Sequence, residues 1–128
     1  YDDAVTDVLG GLTEQVLLAE RAGIARERII VDAGCGFGKS PAESYRLIDR
    51  LGEFAGLGLP VLIGHSRKSM FAEVTADAGD RLAPTLAMSA LAADRGAGVL
   101  RVHDVGANRT VVDAVAAMQA AGAGEVHF

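Results

Sequence analysis

Three short segments of the sequence hold most of the side chains that could act on a ligand. Residues 32–39 form a glycine-rich stretch, residues 64–69 read GHSRKS, and residues 101–104 read RVHD. Together these segments supply a carboxylate, an ammonium, a guanidinium, an imidazole and several backbone amides. In a chain with a net charge of -5, this local excess of cationic groups predicts an anionic ligand such as a phosphate.

The apolar pattern around these segments predicts that each one follows a β-strand. Strands are predicted at 29–31, 60–64 and 99–102, and the first, being β-branched throughout, is expected to be buried on both faces. Helices are predicted at 2–22, from Ser40 to about 55, at 84–95 and at 108–120. A helix followed by three strand–helix units indicates an α/β fold with a parallel sheet. Three such strands would leave both sheet edges bare, so the chain is interpreted as part of a larger α/β domain.

Parallel strands bring their carboxyl ends to one edge of a sheet, where ligands bind. We therefore expect Asp32, Gly64, Arg101 and His103 to meet at one mouth, with Arg101 and His103 on the same face because they are two residues apart. Each also has an ordinary structural explanation: Asp32 could cap the following loop, Arg101 could pair with a buried acid, and His103 could be a core histidine. Three such strand ends together favour a site. His65, in contrast, is interpreted as a packing residue.

Residues 33–40 also fit the permissive pattern of a nucleotide phosphate-binding loop, which is an alanine or glycine, four residues, then Gly-Lys-Ser. Three features count against that interpretation. Ala33 stands where the stricter pattern has glycine, Asp32 would put a carboxylate at the base of an anion cradle, and Pro41 removes an amide from the helix N-terminus. A phosphate-loop nucleotide hydrolase is therefore an alternative of lower rank.

Length and composition limit the classes of protein that remain. The chain has 128 residues, of which 50% are hydrophobic, so a disordered tail is excluded, and no run approaches the ~18 apolar residues of a membrane span. The net negative charge argues against sequence-independent binding to the phosphates of nucleic acids. A lone cysteine, Cys35, excludes an intrachain disulfide and a multi-cysteine zinc site. It fits a reducing compartment, so a cytoplasmic location is expected.

The three segments resemble those of dihydropteroate synthases, a family of pterin-binding enzymes, in their order and spacing. The similar stretches are DAGCGFGK from Asp32, GHSRKS from Gly64 and RVHDV from Arg101. The resemblance implies that the chain is the C-terminal portion of a (β/α)8 barrel, about three parallel strands with their helices. Residues 1–128 would then be a single partial pterin-binding domain, with the N-terminal strands of the barrel absent from this chain.

The same resemblance implies a transferase that condenses a dihydropterin methyl diphosphate with 4-aminobenzoate, giving dihydropteroate and diphosphate in folate biosynthesis. The implied site residues all lie in the three segments: Asp32, Phe37, Gly64, Lys68, Ser69, Arg101 and His103. Among them, Phe37 and Ser69 would flank the aminobenzoate. The substrates are small molecules, and neither a nucleic acid nor a membrane is implied.

Four of these residues are expected to contact the pterin diphosphate. Asp32 would accept hydrogen bonds from the amino-pyrimidine edge of the pterin, and a carboxylate is the right acceptor for such donors. Lys68 would reach the pterin ring. Arg101 would lie against that ring and, with His103, grip the leaving diphosphate. Lys68, Arg101 and His103 are therefore the expected catalytic residues.

Further expectations concern what lies outside the chain. Magnesium is expected to assist departure of the diphosphate, with its ligands in the missing N-terminal part and none in this chain. A homodimer is expected, and the isolated 128 residues are expected to show no turnover because too few strands are present to close a barrel. A pterin-binding methyltransferase relative shares the barrel but lacks the RVHD ending, so it is a further alternative.

Overall fold

The computed structural model describes residues 3–35, 39–65, 69–72, 74–75 and 81–123. Helices and strands alternate along them in the order α1 (Ala4–Arg21), β1 (Val31–Asp32), α2 (Pro41–Asp49), β2 (Val61–Ile63), α3 (Leu82–Asp94), β3 (Val99–Leu100) and α4 (Val105–Gly122). Short 3-10 helices span Arg26–Arg28, Leu51–Leu57 and Ser69–Phe71. Within the part of the chain described, no helix combines the length and apolarity needed to cross a bilayer.

The three strands form one parallel sheet in the order β1-β2-β3. Val31 pairs with Val61 in the first ladder, and Ile63 pairs with Leu100 in the second. Each strand is joined to the next through a helix, as expected for parallel neighbours, which cannot be joined by a tight hairpin. The predicted α/β architecture with three parallel strands is confirmed.

One face of the sheet packs on the helices, and alternate strand residues enter that core. Val31, Val61 and Ile63 are buried there among apolar side chains of α1, α2 and the following 3-10 helix. The prediction that the first strand is buried on both faces is wrong, because Ile30 is 56% exposed. Exposed Ile30 and Asp32 alternate with buried Val31 and Ala33, so only one face of this strand is buried. The strand also begins at Val31 rather than at residue 29.

The predicted start of α2 is confirmed as a capping box. Ser40 Oγ accepts a hydrogen bond from the Glu43 amide at 3.2 Å, and Glu43 Oε1 accepts one from the Ser40 amide at 2.9 Å. Pro41 occupies the first helical position, where its missing N–H costs nothing. The helix is shorter than predicted, since the chain tightens into a 3-10 helix that brings Leu51 and Phe54 into the core.

The last two helices begin earlier than the sequence pattern predicted. α3 starts at Leu82, two residues before Pro84, because proline is tolerated throughout the first turn. α4 starts at Val105 instead of residue 108, since Asp104 is its N-cap residue and its carbonyl accepts the Asn108 amide at 3.1 Å. Most of the predicted loop at 75–82 lies outside the described residues, as does the tail from 124 onward.

The start of α1 is tied to the end of α2 by an ionic cluster. Arg50 Nη1 donates to both carboxylate oxygens of Asp3, at 2.9 and 2.8 Å, and its Nε and Nη2 donate to Glu53. Asp3 also caps α1 by accepting from the Val5 amide at 3.0 Å. Hydrogen bonding to Arg50 is the main reason why the pKa of Asp3 falls from 3.8 to about 2. The same guanidinium lowers the pKa of Glu53.

This cluster predicts a loss of stability in acid that depends on Asp3. A carboxylate with a depressed pKa stabilises the fold above its ordinary pKa of 3.8, and this contribution disappears as the pH falls toward 2. Urea midpoints of the full-length protein and of Asp3→Asn should therefore differ most near neutral pH and converge in acid. A difference between the two midpoints that stayed constant down to about pH 2 would contradict the assignment.

Candidate functional site

Backbone pairing brings the ends of the three strands together. The Ala33 amide donates to the Leu62 carbonyl at 3.3 Å, and the Arg101 amide donates to the Ile63 carbonyl at 3.0 Å. These bonds extend the two ladders by one residue beyond β1 and β3. Asp32, Gly64 and Arg101 thus lie at neighbouring carboxyl ends of one sheet, as the sequence predicted.

The closest contact at this edge joins Arg101 to Gly64. A Cβ atom built on Gly64 would lie 2.7 Å from Arg101 Nη2, 3.2 Å from Nε and 3.3 Å from Cζ. The guanidinium group therefore occupies the space that any side chain at position 64 would need. Gly64 is buried, whereas Arg101 is exposed, so the backbone of the glycine lies directly beneath the guanidinium group.

The ordinary explanation for Arg101, an ion pair with a buried acid, does not hold among the described residues. The salt bridges there use Arg26, Arg50, Arg95 and Arg109, and none includes Arg101. A guanidinium group keeps its charge at every pH of interest and offers five donors. Its position at the rim of the sheet leaves it available to an anion or to a flat ring.

The structure is compatible with both interpretations of Asp32, as a cap of the following loop and as a residue that contacts a ligand. Its Oδ1 accepts a hydrogen bond from the Gly34 amide at 2.8 Å, so it does cap the following loop. The residue is also exposed, at the same edge as Arg101. One carboxylate can therefore shape the loop and still face a ligand, because its two oxygens offer about four acceptor sites.

Lys39 contacts the start of the loop that follows Asp32. Lys39 Nζ donates to the Gly34 carbonyl at 3.0 Å, and the same nitrogen lies 3.0 Å from where a Cβ of Gly34 would be. Gly34 has a φ of +73°, which favours glycine. Ser40, next in the chain, uses its hydroxyl oxygen to cap α2. These contacts give the lysine and the serine structural roles in the loop.

His103 follows Arg101 by two residues and is exposed like it. Val102, between them, points the other way and lines an apolar groove with Ala93, Val105 and Val112. Exposed Arg101 and His103 flank the partly buried Val102, which is the alternation that the two-residue spacing predicts. Of the other predicted site residues, Phe37 and Lys68 lie outside the described part of the chain, and Ser69 is described only as the first residue of a 3-10 helix.

Sequence reasoning missed what His65 does. The prediction that it is buried is correct, since none of its surface is exposed. Its Nε2, however, lies 2.8 Å from Ser89 Oγ and 3.2 Å from the Thr85 carbonyl. Ser89 Oγ in turn donates to Asn108 Oδ1. One signal was available: Thr85 and Ser89 stand four residues apart, on one face of an otherwise alanine-rich helix.

The described residues do not form a metal site of their own. Across residues 3–35, 39–65, 69–72, 74–75 and 81–123, no three His, Cys, Asp or Glu side chains come together in a group that could hold a metal ion. Arg101, His103 and Asp32 instead place a guanidinium, an imidazole and a carboxylate at the strand ends, which is a set suited to an anionic and hydrogen-bonding ligand.

Comparison with known families settles the affiliation of the chain. The sequence profile of the family described as "Pterin binding enzyme" matches residues 1–103. The chain belongs to this family. Membership in the pterin-binding enzymes confirms the resemblance drawn from the three segments, and it removes the support for a phosphate-loop hydrolase.

Individual relatives agree with the family. A protein of Haloferax volcanii named "Probable bifunctional folylpolyglutamate synthase/dihydropteroate synthase" is 58% identical over 113 residues, covering 88% of this chain and 14% of that protein. The dihydropteroate synthase of Escherichia coli K12 is 43% identical over 106 residues, covering 82% of this chain and 38% of the enzyme.

A solved structure extends the agreement to the fold. Dihydropteroate synthase from Xanthomonas albilineans, in complex with 7,8-dihydropteroate, superposes with a TM-score of 0.89 and 43% identity, over 94% of this chain and 47% of that one. The predicted fold class is confirmed, since the structural relatives of this chain are (β/α)8 barrels. The chain spans less than half the length of each relative named here.

The contact between Gly64 and Arg101 predicts the result of adding one methyl group. In Gly64→Ala the new carbon would lie 2.7 Å from Arg101 Nη2, so the guanidinium must leave its place. We expect the Arg101 Nε–H signal in proton–nitrogen NMR spectra of the full-length protein to shift. Gly10→Ala is the matched control, because nothing lies within 4 Å of its new carbon. An Arg101 signal that is identical in Gly64→Ala and wild type would contradict the described contact.

Proposed function

We propose that the protein containing this chain is a dihydropteroate synthase. It would join a dihydropterin methyl diphosphate to 4-aminobenzoate and release diphosphate, as a step in folate biosynthesis. The observation that carries the proposal is the Arg101 guanidinium resting on Gly64, at the edge where Asp32 and His103 are also exposed. Identities of 58% and 43% to relatives that bear this name support it.

The reaction is a substitution in which the amine of 4-aminobenzoate replaces diphosphate on the pterin methylene carbon. Negative charge builds on the diphosphate as its bond to carbon breaks, so cationic donors at that position lower the barrier most. Arg101 and His103, two residues apart on one side of the chain, are the proposed donors. Arg101 can also stack on a flat ring, because its guanidinium is planar.

Asp32 is the proposed anchor for the other end of the pterin. The amino-pyrimidine edge presents adjacent N–H donors, and an ionised carboxylate accepts from both without offering a competing proton. The hydrogen bond from the Gly34 amide to Asp32 Oδ1 orients that carboxylate before the substrate arrives. Pre-orientation reduces the entropy lost on binding.

The remaining roles rest on the family alone. Lys68 is proposed to reach the pterin ring, and Phe37 and Ser69 to flank the aminobenzoate. Departure of the diphosphate would be assisted by bound Mg²⁺, for which the described residues offer no ligand group, so none of the roles above depends on it. A partial barrel domain over residues 1–128, a homodimer and a cytoplasmic location stay predictions.

The first test concerns the class of ligand. A pterin diphosphate should raise the thermal unfolding midpoint of the full-length protein, because a ligand that binds only the folded state stabilises it by mass action. ATP with magnesium should leave the midpoint unchanged, since Lys39 and Ser40 are engaged within the loop. Stabilisation by ATP and none by a pterin would instead revive the phosphate-loop alternative.

The second test concerns Arg101. If its contact strengthens as the diphosphate leaves, Arg101→Ala should lower the turnover of the full-length enzyme by at least about tenfold, which corresponds to ~1.4 kcal/mol. Arg101→Lys should recover only part of the rate, because an ammonium cannot stack on a ring or donate as a fork. Single-turnover rates of dihydropteroate formation measure both effects.

A matched control separates this role from a structural one. Arg109 is an exposed arginine that forms an ion pair with Asp113 within α4, at 3.1 Å, so Arg109→Ala should leave the single-turnover rate near that of wild type. An Arg101→Ala enzyme with a lower unfolding midpoint and an unchanged rate would show that Arg101 serves stability and not the reaction.

A further inference from the structure

A buried polar network lies directly behind the strand ends. His65, Thr85 and Ser89 are completely buried, and Asn108 is 3% exposed. His65 Nε2 contacts Ser89 Oγ at 2.8 Å, Ser89 Oγ contacts Asn108 Oδ1, and Asn108 Nδ2 lies 2.8 Å from the Asp104 carbonyl oxygen. Buried polar groups are costly unless they are hydrogen-bonded, so a connected set of this size calls for a reason.

The partners fix the direction of the described bonds that run from His65 through Ser89 and Asn108 to Asp104. Asn108 Nδ2 donates to the Asp104 carbonyl, so the atom that faces Ser89 is the amide oxygen, which only accepts. The single Ser89 proton goes to that oxygen, and Ser89 Oγ must therefore accept from His65. Because the Thr85 carbonyl near the same nitrogen also only accepts, His65 carries a proton on Nε2. Along this path the donors point from His65 toward Asp104.

Both ends of the network adjoin the proposed site. His65 directly follows Gly64, against which the Arg101 guanidinium packs. At the other end, Asp104 directly follows His103, and its carbonyl accepts both the side chain and the backbone amide of Asn108, at 2.8 and 3.1 Å. The network thus links the end of β2, through α3, to the start of α4.

We propose that His65, Ser89 and Asn108 are positioning residues that set the Gly64 end of β2 relative to the Arg101–His103 end of β3. The inference rests on the proposed function for its kinetic consequences. The network touches no substrate itself. It fixes Gly64, beneath Arg101, at one end and the backbone after His103 at the other, so that Arg101 and His103 meet the diphosphate at a fixed separation.

Two variants of the full-length enzyme test the network, and a third provides rescue. Ser89→Ala deletes one oxygen atom, and His65→Leu removes the donor at its start. Each should raise the KM for the pterin diphosphate by about fivefold, the scale of coupling within one hydrogen-bonded network, and leave the KM for 4-aminobenzoate within about twofold. His65→Gln keeps an N–H donor at similar reach and should restore the pterin KM to within about twofold of wild type.

A double-mutant cycle distinguishes positioning from general loss of stability. If His65 acts through Arg101, His65→Leu should add less than about twofold to the pterin KM in an Arg101→Ala background. Phe54→Leu, a core change in the 3-10 helix after α2 and outside the network, should lower the unfolding midpoint and leave both KM values unchanged. Additive effects of His65→Leu and Arg101→Ala, or a pterin KM unaffected by Ser89→Ala, would overturn the proposal.

The Arg101 Nε–H signal in NMR spectra tests the same inference without turnover. It should shift in Ser89→Ala and His65→Leu and return toward its wild-type position in His65→Gln. A wild-type protein that formed no dihydropteroate would refute the proposed function, and the NMR result would still decide the positioning role. An Arg101 signal unmoved by both network variants would refute the positioning role alone.

Discussion

The bond from the Arg101 amide to the Ile63 carbonyl, 3.0 Å long, sets the geometry on which the proposed site depends. It continues the β2–β3 ladder by one residue past the last pair, so the side chain of Arg101 emerges level with the residue after Ile63. That residue is Gly64, and the absence of a side chain there leaves room for a guanidinium group. The parallel ladder and the glycine thus place the Arg101 guanidinium at the rim of the sheet.

The two faces of the sheet have different tasks. The face toward the helices is filled by Val31, Val61 and Ile63 and is closed by apolar packing, which contributes most of the stability of such a small unit. The opposite side exposes Ile30 and Asp32 in alternation with buried residues. The proposed site lies where the second face meets the strand ends, so the residues that stabilise the fold and those proposed to contact a ligand are largely separate sets.

The sequence predicted the parts of this arrangement that depend on local patterns. The order of helices and strands, the capping box at Ser40 and the exposure of both Arg101 and His103 follow from spacing along the chain. The exposure of Ile30 did not follow, because an apolar residue type says nothing about which faces are covered. Nor did the partners of His65, since Thr85 and Ser89 lie 20 and 24 residues away and only tertiary packing brings them to the imidazole.

The single direction of the bonds from His65 to Asp104 has an evolutionary consequence. Replacing Ser89 alone would take the described donor away from the buried Asn108 Oδ1 and leave His65 Nε2 with the Thr85 carbonyl as its described acceptor, and the loss of a buried hydrogen bond is poorly tolerated. Replacing the whole set by apolar side chains of similar volume would leave nothing stranded. The three positions are therefore expected to be inherited as a unit, so that lineages keep His65, Ser89 and Asn108 together or exchange them together. Substitutions at these sites would then show strong epistasis, although the residues are scattered along the chain.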